Sequence, residues 1–199
     1  MNIHSCMART ATTTPDKRQA ILDAALELFV DRGYHGTAVP EVAARAGVGA
    51  GTIYRYFSSK EALVNELYRE HKRALAARLF DGFPRNAPAR EQFHQLWTRM
   101  GRFVRENWRA WAFLELHHHA DYLDDESRAI ERQIDDMSEA LLLATQARGE
   151  IKKLSPGLLF ALVLGSFVGV VRSAWEGRIE LSDEILDSAE QCCWEAVRA

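Results

Sequence analysis

Apolar residues recur along most of the chain at intervals of three and four positions, which is the period of an α-helix with one buried face. Strict alternation of apolar and polar residues is missing, and so are Asn-Gly or Asp-Gly turns between β-branched runs. The pattern therefore predicts an all-α protein of about nine helices without an internal repeat.

The first predicted helix carries signals at both ends. Thr14 is a suitable N-cap, Pro15 fits the first helical position, and Asp16 places negative charge at the positive end of the helix dipole. Gly33 is expected to end the helix. The residues expected on its buried face are Ile21, Ala24, Ala25, Leu28 and Phe29.

Two short helices follow, predicted over residues 38–46 and 50–57, with Gly47-Val48-Gly49 between them. If Thr37 is the N-cap, Pro40 lies in the first turn, where a missing N–H breaks no helical hydrogen bond. Val39, Val42 and Ala43 would form the buried side of the first short helix.

The later helices are longer. Ser58-Ser59-Lys60-Glu61 is a capping-box pattern that opens the fourth helix, and Asp81-Gly82-Phe83-Pro84 predicts a linker after it. A sixth helix is predicted over residues 108–122. The eighth begins at Ser155-Pro156 and is apolar on nearly every side, and Ser182 opens the ninth.

The segment over residues 33–63 reads GYHGTAVPEVAARAGVGAGTIYRYFSSKEAL. It closely resembles the signature of the TetR (tetracycline repressor, AcrR-like) family, in which a Thr opens the second helix and A-G-V, G-T-[IL]-Y-x-[YH]-F and [SN]-K-E-x-L follow. The preceding segment, ILDAALELFVDRG, is similar to the family's first helix. Beyond this part of the chain the likeness is only architectural.

The resemblance implies a one-component transcription regulator that binds double-stranded operator DNA as a homodimer. The implied domains are a flexible arm over residues 1–14, a helix-turn-helix domain over 15–60, and a helical effector-binding and dimerisation domain over 61–199. A helix-turn-helix places its second helix in the major groove. Repression, with release by a small effector, is expected from the family alone.

The spacing within this segment separates buried from exposed positions. Ile53 and Phe57 are four residues apart and would hold the second short helix against the core. The resemblance implies phosphate contacts for Thr37, Tyr54, Tyr56 and Lys60 and base contacts for Ala50, Thr52 and Arg55, and Gly51 and Arg45 complete the predicted DNA-binding set. Gly49 stands where the family commonly has Ser, so this helix lacks a side-chain cap. The alternative is a small helical subdomain with half-buried tyrosines.

Net charge and cysteine content give little further information about binding partners and location. The net charge of −3 does not indicate a nucleic-acid partner, but residues 36–60 contain three basic side chains and one acidic side chain. Cys6, Cys192 and Cys193 are an odd number and do not suggest a disulfide framework. The N-terminus lacks the apolar core of a signal peptide, so a cytoplasmic location is expected.

The longest uncharged run, residues 154–171, is slightly short for a membrane span, which needs about 20 apolar residues. We therefore expect no membrane association. A helix that is apolar on every side must be covered on every side. As in the family, helices eight and nine of two subunits would form a four-helix bundle through Leu158, Leu162, Gly165, Gly169, Leu186 and Trp194. The alternative is the central core helix of a monomer.

Aromatic residues are concentrated in helices five to eight, and most are expected in the core: Trp97, Phe103, Trp108, Trp111, Phe113, Phe160, Phe167 and Trp175. The resemblance implies that part of this cluster lines a cavity for a largely apolar or aromatic effector. Glu115 and His118, one turn apart, would supply polar groups. The predicted effector-binding set is Trp97, Met100, Trp111, Leu114, Glu115 and His118.

A run of three histidines suggests a metal site as an alternative. Consecutive helical residues point about 100° apart, so His117-His118-His119 cannot share one ion, although Glu115/His119 and His117/Asp121 could each supply two ligands. A solvated or core-edge histidine cluster is favoured, and no metal or cofactor is expected.

Glu91-x-x-His94 and Glu115-x-x-His118 match the two Glu-x-x-His motifs of a di-iron carboxylate bundle, which also needs two further Glu on facing helices. The helix-turn-helix segment occupies chain that such a bundle would need. Because a Gly-rich phosphate loop, a nucleophile elbow and a Cys-x-x-Cys site are also missing, the sequence predicts a protein that is not an enzyme.

Overall fold

The computed structural model describes residues 16–117, 119 and 121–199. In these residues it contains nine α-helices, one π-helical turn and no β-strand, which confirms the all-α prediction. The helices are α1 Lys17–Arg32, α2 Val39–Arg45, α3 Ala50–Tyr56, α4 Lys60–Phe80, α5 Ala89–Glu106, α6 Trp108–Trp111, α7 Asp125–Ala147, α8 Pro156–Trp175 and α9 Asp183–Val197, with the π turn at Ala112–Leu116 after α6.

The ends of α1 are set by Asp16 and Gly33. The Asp16 carboxylate accepts a hydrogen bond of 3.0 Å from the Arg18 N–H, so Asp16 is the N-cap and the helix begins at Lys17. The predicted cap Thr14, the predicted first residue Pro15 and the predicted arm lie outside the described residues. Gly33 has φ 71° and donates its N–H to the Phe29 carbonyl, which confirms the predicted stop.

Thr37 does not have its predicted role. The N-cap of α2 is Ala38, whose N–H donates to the Glu41 carboxylate at 3.0 Å. Thr37 is 2% exposed, and its hydroxyl lies 3.1 Å from the Leu28 carbonyl oxygen and 2.9 Å from that of Gly33. Because the hydroxyl points inward, the predicted capping role of Thr37 is wrong, and the side chain is not placed to contact a phosphate.

Helix α4 connects the two halves of the protein. Its N-terminal half places Leu63 and Leu67 in the core against α1, and its C-terminal half packs on α5 and α7. Ser59 accepts a hydrogen bond of 3.1 Å from the Ala62 N–H and caps α4. The same rigid helix therefore contacts both the helix-turn-helix and the C-terminal helices.

The predicted sixth helix is much shorter than expected. Four α-helical residues are followed by the π turn, and the backbone becomes extended at His117, with φ −109° and ψ 154°. The ring of His119 is buried and hydrogen-bonds through Nε2 to the Phe113 carbonyl, which the helix end leaves without a partner in the helix. The His119 ring also packs edge-on against Tyr68 of α4, with 5.3 Å between ring centres, and the helix ends at a point that the apolar period does not mark.

The last two helices begin as predicted. Ser155 accepts a hydrogen bond from the Leu158 N–H at the start of α8, and Ser182 accepts one from the Ile185 N–H at the start of α9. The buried side of α8 contributes Leu159, Phe167 and Val171.

Candidate nucleic-acid interface and effector cavity

The turn between α2 and α3 sets the direction of the second helix. Gly47 has φ 67°, a left-handed conformation that strongly favours glycine, and the Val48 N–H donates to the Ala43 carbonyl at 3.0 Å. Ile53 and Phe57 are 1% and 5% exposed, so both hold α3 against the core as predicted. The opposite face of α3 must therefore point away from the protein.

That outer face carries most of the predicted DNA contacts. Tyr54 is 56% exposed and Tyr56 is 43% exposed. The exposure of Tyr54 in particular disagrees with the alternative interpretation, in which the tyrosines are half-buried. Ala50, Gly51 and Arg55 are also exposed, and Thr52 is partly exposed. A Cβ placed on Gly51 would contact nothing within 4 Å, so the surface there is open to close approach by another molecule. Hydroxyl, guanidinium and methyl groups thus share one exposed surface.

The basic residues around this surface differ in their partners. Arg45 pairs with Glu27 at 2.6 Å, and the Lys60 ammonium lies 4.1 Å from the centre of the Tyr34 ring. Burial lowers the pKa of Lys60 below its ordinary value. Arg55 has no ion pair with any residue that the structure describes, so its charge is available to a phosphate or to a base edge.

An aromatic contact joins the helix-turn-helix domain to the C-terminal helices. The rings of Tyr34 and Tyr122 stack with 4.2 Å between their centres, and the Tyr122 hydroxyl lies 2.6 Å from His119 Nδ1. Burial lowers the pKa of His119 to about 4, so its ring is neutral at pH 7. Tyr34 also donates its hydroxyl to Glu61 at 2.6 Å.

An apolar cavity of about 160 Å³ lies between α4, α5, α7 and α8, and the end of α6 and the π turn close one side. Its aromatic wall consists of Phe80, Phe93, Trp111 and Phe160. A dry apolar cavity of about 150 Å³ accommodates benzene. The cavity therefore has room for an aromatic ring or for part of an alkyl chain.

Few polar groups interrupt these walls. Lys72 and Glu115 form an ion pair of 3.0 Å, and their side chains are only 14% and 13% exposed. The indole N–H of Trp111, one turn before Glu115, is buried without an acceptor among the described residues. An apolar site with a few directed polar groups is the usual composition of a small-molecule pocket.

Three of the six residues predicted for the effector, Met100, Trp111 and Glu115, line this cavity. Trp97 does not, because its indole N–H donates to the Leu186 carbonyl at 2.9 Å and its ring packs edge-on against Phe167. Leu114 is buried in the main core and is also absent from the wall, so both assignments need correction.

His118 lies outside the residues whose side chains the structure describes. Lys72 was missed by the sequence analysis. The sequence feature that could have indicated Lys72 is a basic residue on the apolar stripe that Leu75 and Leu79 form along α4.

One face of α8 remains uncovered. Leu158 is 47% exposed and Leu162 is 41% exposed, and Gly165 and Gly169 continue the same exposed stripe. By length and composition α8 could cross a membrane, with mean hydropathy 1.9 and 17% of the apolar window buried.

Leu186, also predicted for the dimer interface, packs within the protomer instead, whereas Trp194 is only partly buried there. Leu186 is 6% exposed and lies against Gly101, where a Cβ would be only 3.2 Å from Leu186 Cδ1. The Trp194 ring contacts Phe93 with 5.5 Å between their centres. Side chains of α9 therefore fill space against α5 that the apolar pattern alone had assigned to a partner subunit.

The candidate metal and di-iron motifs are dispersed. No three His, Cys, Asp or Glu residues converge anywhere in the described part of the chain. His94 pairs with the buried Glu190 at 2.9 Å rather than with Glu91, and both ring nitrogens of His119 have partners of their own.

Comparison with known proteins decides the family. The family model for bacterial regulatory proteins of the tetR family matches residues 21–67, and that for the tetracyclin repressor-like C-terminal domain matches residues 68–199. The chain belongs to the TetR family. Its members are transcription regulators and not enzymes, which agrees with the prediction that this TetR-family protein is not an enzyme.

Relatives of this TetR-family chain extend over nearly its full length. A helix-turn-helix transcriptional regulator of Haemophilus influenzae is 26% identical over 183 residues, covering 92% of this chain and 96% of the relative. The crystal structure of a TetR-family regulator from Shewanella sp. PV-4 has a TM-score of 0.78 at 25% identity and covers 92% of this chain and 98% of its own.

A regulator FadR from Bacillus subtilis, solved in complex with stearoyl-CoA, has a TM-score of 0.70 at 23% identity. The match covers 88% of this chain and 96% of that one. At this identity the likeness concerns the fold alone.

Proposed function

We propose that this TetR-family regulator is a homodimeric repressor that leaves its operator when a largely apolar effector occupies the cavity between α4, α5, α7 and α8. The observation that carries the proposal is the shared wall: Trp111 and Glu115 line the cavity, and the segment that holds them also contacts α1 of the helix-turn-helix domain. An occupant that moves this segment acts on both sites.

The coupling has a defined structural route. Phe113, in the π turn, stacks on Phe29 of α1 with 6.3 Å between ring centres. Glu115 of the same turn is tied to Lys72 of α4, which runs back to the DNA-binding domain. A ligand seated against Trp111 would shift the turn and α4 together and so change the position of α3. Such a ligand shifts the equilibrium only by its difference in affinity for the two states.

The exposed face of α8 supports the homodimer. A helix-turn-helix dimer must hold its recognition helices about 34–36 Å apart to reach successive turns of the major groove. Leu158 and Leu162, with the small residues Gly165 and Gly169, would allow α8 to pack closely on its copy in a second subunit. We propose that α8 of a second subunit, and not a membrane, covers the exposed face of α8.

The effector is proposed to carry an alkyl chain or an aromatic group, because the cavity walls are almost entirely apolar. The FadR of Bacillus subtilis, which is similar in fold, was solved in complex with stearoyl-CoA. Aromatic and acyl compounds are therefore the first classes to screen.

The test begins with selection of the protein's target from random duplex DNA, followed by measurement of affinity across salt concentrations. Enrichment of a palindrome with a steep salt slope is expected, because charged contacts to phosphates release counterions. Addition of acyl or aromatic compounds should then lower the affinity. Absence of enrichment at every salt concentration would contradict the operator-binding part, and unchanged affinity with every compound would contradict the effector part.

A further inference from the structure

A second, smaller apolar cavity of about 60 Å³ adjoins the main one near the start of α5. The two cavities share five wall residues, Phe93, Leu96, Leu141, Leu142 and Val163. Because these side chains line both cavities, a change in their rotamers would join the two spaces into one elongated site. That site would extend along α5 from Gln92 to Met100.

Gln92 brings a fixed polar group to the far end of this elongated site. The side chain is 2% exposed, and its Nε2 donates to the carbonyl oxygens of Arg85 and Ala87, both at 2.7 Å. A flipped amide would place oxygen against these two carbonyls, so the orientation of the amide is determined. Its Oε1 is buried and accepts no hydrogen bond from any described residue.

Trp111 brings the complementary group to the near end. It is 1% exposed, and its Nε1–H finds no acceptor in the described part of the chain. The neighbouring Glu115 carboxylate is neutralised by Lys72. Because Lys72 is already paired with Glu115 and leaves no free cation for a carboxylate, a neutral oxygen acceptor such as the carbonyl of an ester or thioester suits Trp111 better.

The separation of the two groups sets a length. Gln92 and Met100 are eight residues apart on α5, or about 12 Å along the helix axis at 1.5 Å per residue. Met100 and Trp111 both line the main cavity. The distance corresponds to a medium-length alkyl chain.

We propose that the effector is a neutral acyl compound of medium chain length with a hydroxyl group at the distal end of the chain. Its carbonyl oxygen accepts a hydrogen bond from Trp111 Nε1–H, and its hydroxyl donates to Gln92 Oε1. This inference rests on the proposed function, because it assumes that the cavity holds the effector. Buried polar groups in a ligand site are effective at rejecting an analogue that leaves them without a partner.

The test compares methyl ω-hydroxydecanoate with methyl decanoate, which differ only in the terminal hydroxyl. Binding to the full chain is measured by titration calorimetry, and operator release by both esters is measured in parallel. We expect the hydroxy ester to bind about tenfold more tightly, the effect of one hydrogen bond of about 1.4 kcal/mol.

Two variants and one control assign the effect. In Gln92→Met the preference for the hydroxy ester should disappear, whereas Trp111→Phe should weaken both esters by similar factors. Gln95→Met makes the same replacement on α5 outside both cavities and should keep the preference. Because Gln92 also anchors two carbonyls, the melting temperature and operator affinity of each variant are measured first, and Gln92→Leu serves if Gln92→Met does not fold.

The outcomes separate this inference from the proposed function. Equal affinity for the two esters, as an ordered water satisfying Gln92 would give, overturns the inference, and so does a preference that persists in Gln92→Met. Binding of neither ester overturns it as well. If aromatic or other acyl compounds still release the operator in these cases, the proposed function stands; if no operator is bound at all, the proposed function fails.

Discussion

Replacement of Thr37 by Val distinguishes an internal role for this side chain from the DNA contact that the family resemblance implies. Valine matches the shape of threonine but cannot donate to the Leu28 and Gly33 carbonyls, which lie 3.1 Å and 2.9 Å from the hydroxyl. The loss of one buried hydrogen bond should lower the free energy of unfolding by about 1–2 kcal/mol. For a chain of this size that corresponds to a fall of about 2–8 °C in Tm.

The assay pairs Thr37→Val with Thr52→Val, which removes the same hydroxyl from the partly exposed face of α3. Thermal unfolding is followed at one fixed protein concentration, since a dimer's Tm depends on concentration. We expect Thr37→Val to lower Tm and to leave operator affinity nearly unchanged. Thr52→Val should keep the wild-type Tm and weaken binding to the selected operator.

The opposite pattern would refute this reasoning. If Thr37→Val melts like the wild type but binds the operator several-fold more weakly, the hydroxyl faces DNA and its buried placement in α1–α2 packing is not the functional one. A fall in both quantities for Thr37→Val alone would mean that the α1–α2 connection also positions α3.

Three further perturbations test other parts of the structure. Lys72→Met should lower the free energy of unfolding in denaturant by about 2–3 kcal/mol, because the Glu115 carboxylate, only 13% exposed, loses its counter-ion. Addition of Glu115→Gln should recover most of this loss, and no recovery would mean that the two side chains are not coupled. His119 has its pKa lowered to about 4 by burial, so the unfolded state binds the extra proton between about pH 6.5 and pH 4, and stability should fall by on the order of 3 kcal/mol as pH drops through that window. His119→Phe should flatten this part of the profile, and a profile identical to the wild type would contradict the assignment. Leu162→Arg should shift the protein toward monomer in sedimentation and weaken operator binding. Leu143→Arg, on α7 and also well exposed, should do neither. Equal behaviour of the two variants would contradict the assignment of α8 to the dimer interface.

The sequence by itself determined the helical class, the helix-turn-helix and several helix ends. These features depend on spacing within a few residues: the three-and-four period, the caps Ser155 and Ser182, and the conformation required of Gly33. The burial of Ile53 and Phe57, which exposes Tyr54 on the opposite face, follows from the same local geometry.

Only the tertiary structure decided which apolar faces meet. The periodic pattern of a cavity wall or a dimer interface also fits Trp97, Leu186 and Trp194. In the folded protomer these residues make contacts between α5 and α9, because those two helices pack against each other. The cavity brings together residues more than eighty positions apart, such as Lys72 and Phe160, whose proximity no local period encodes. The inward orientation of Thr37 and the end of the α6 and π-turn segment before His117 have the same reason. Buried polar groups hydrogen-bond with whatever partners the fold places beside them.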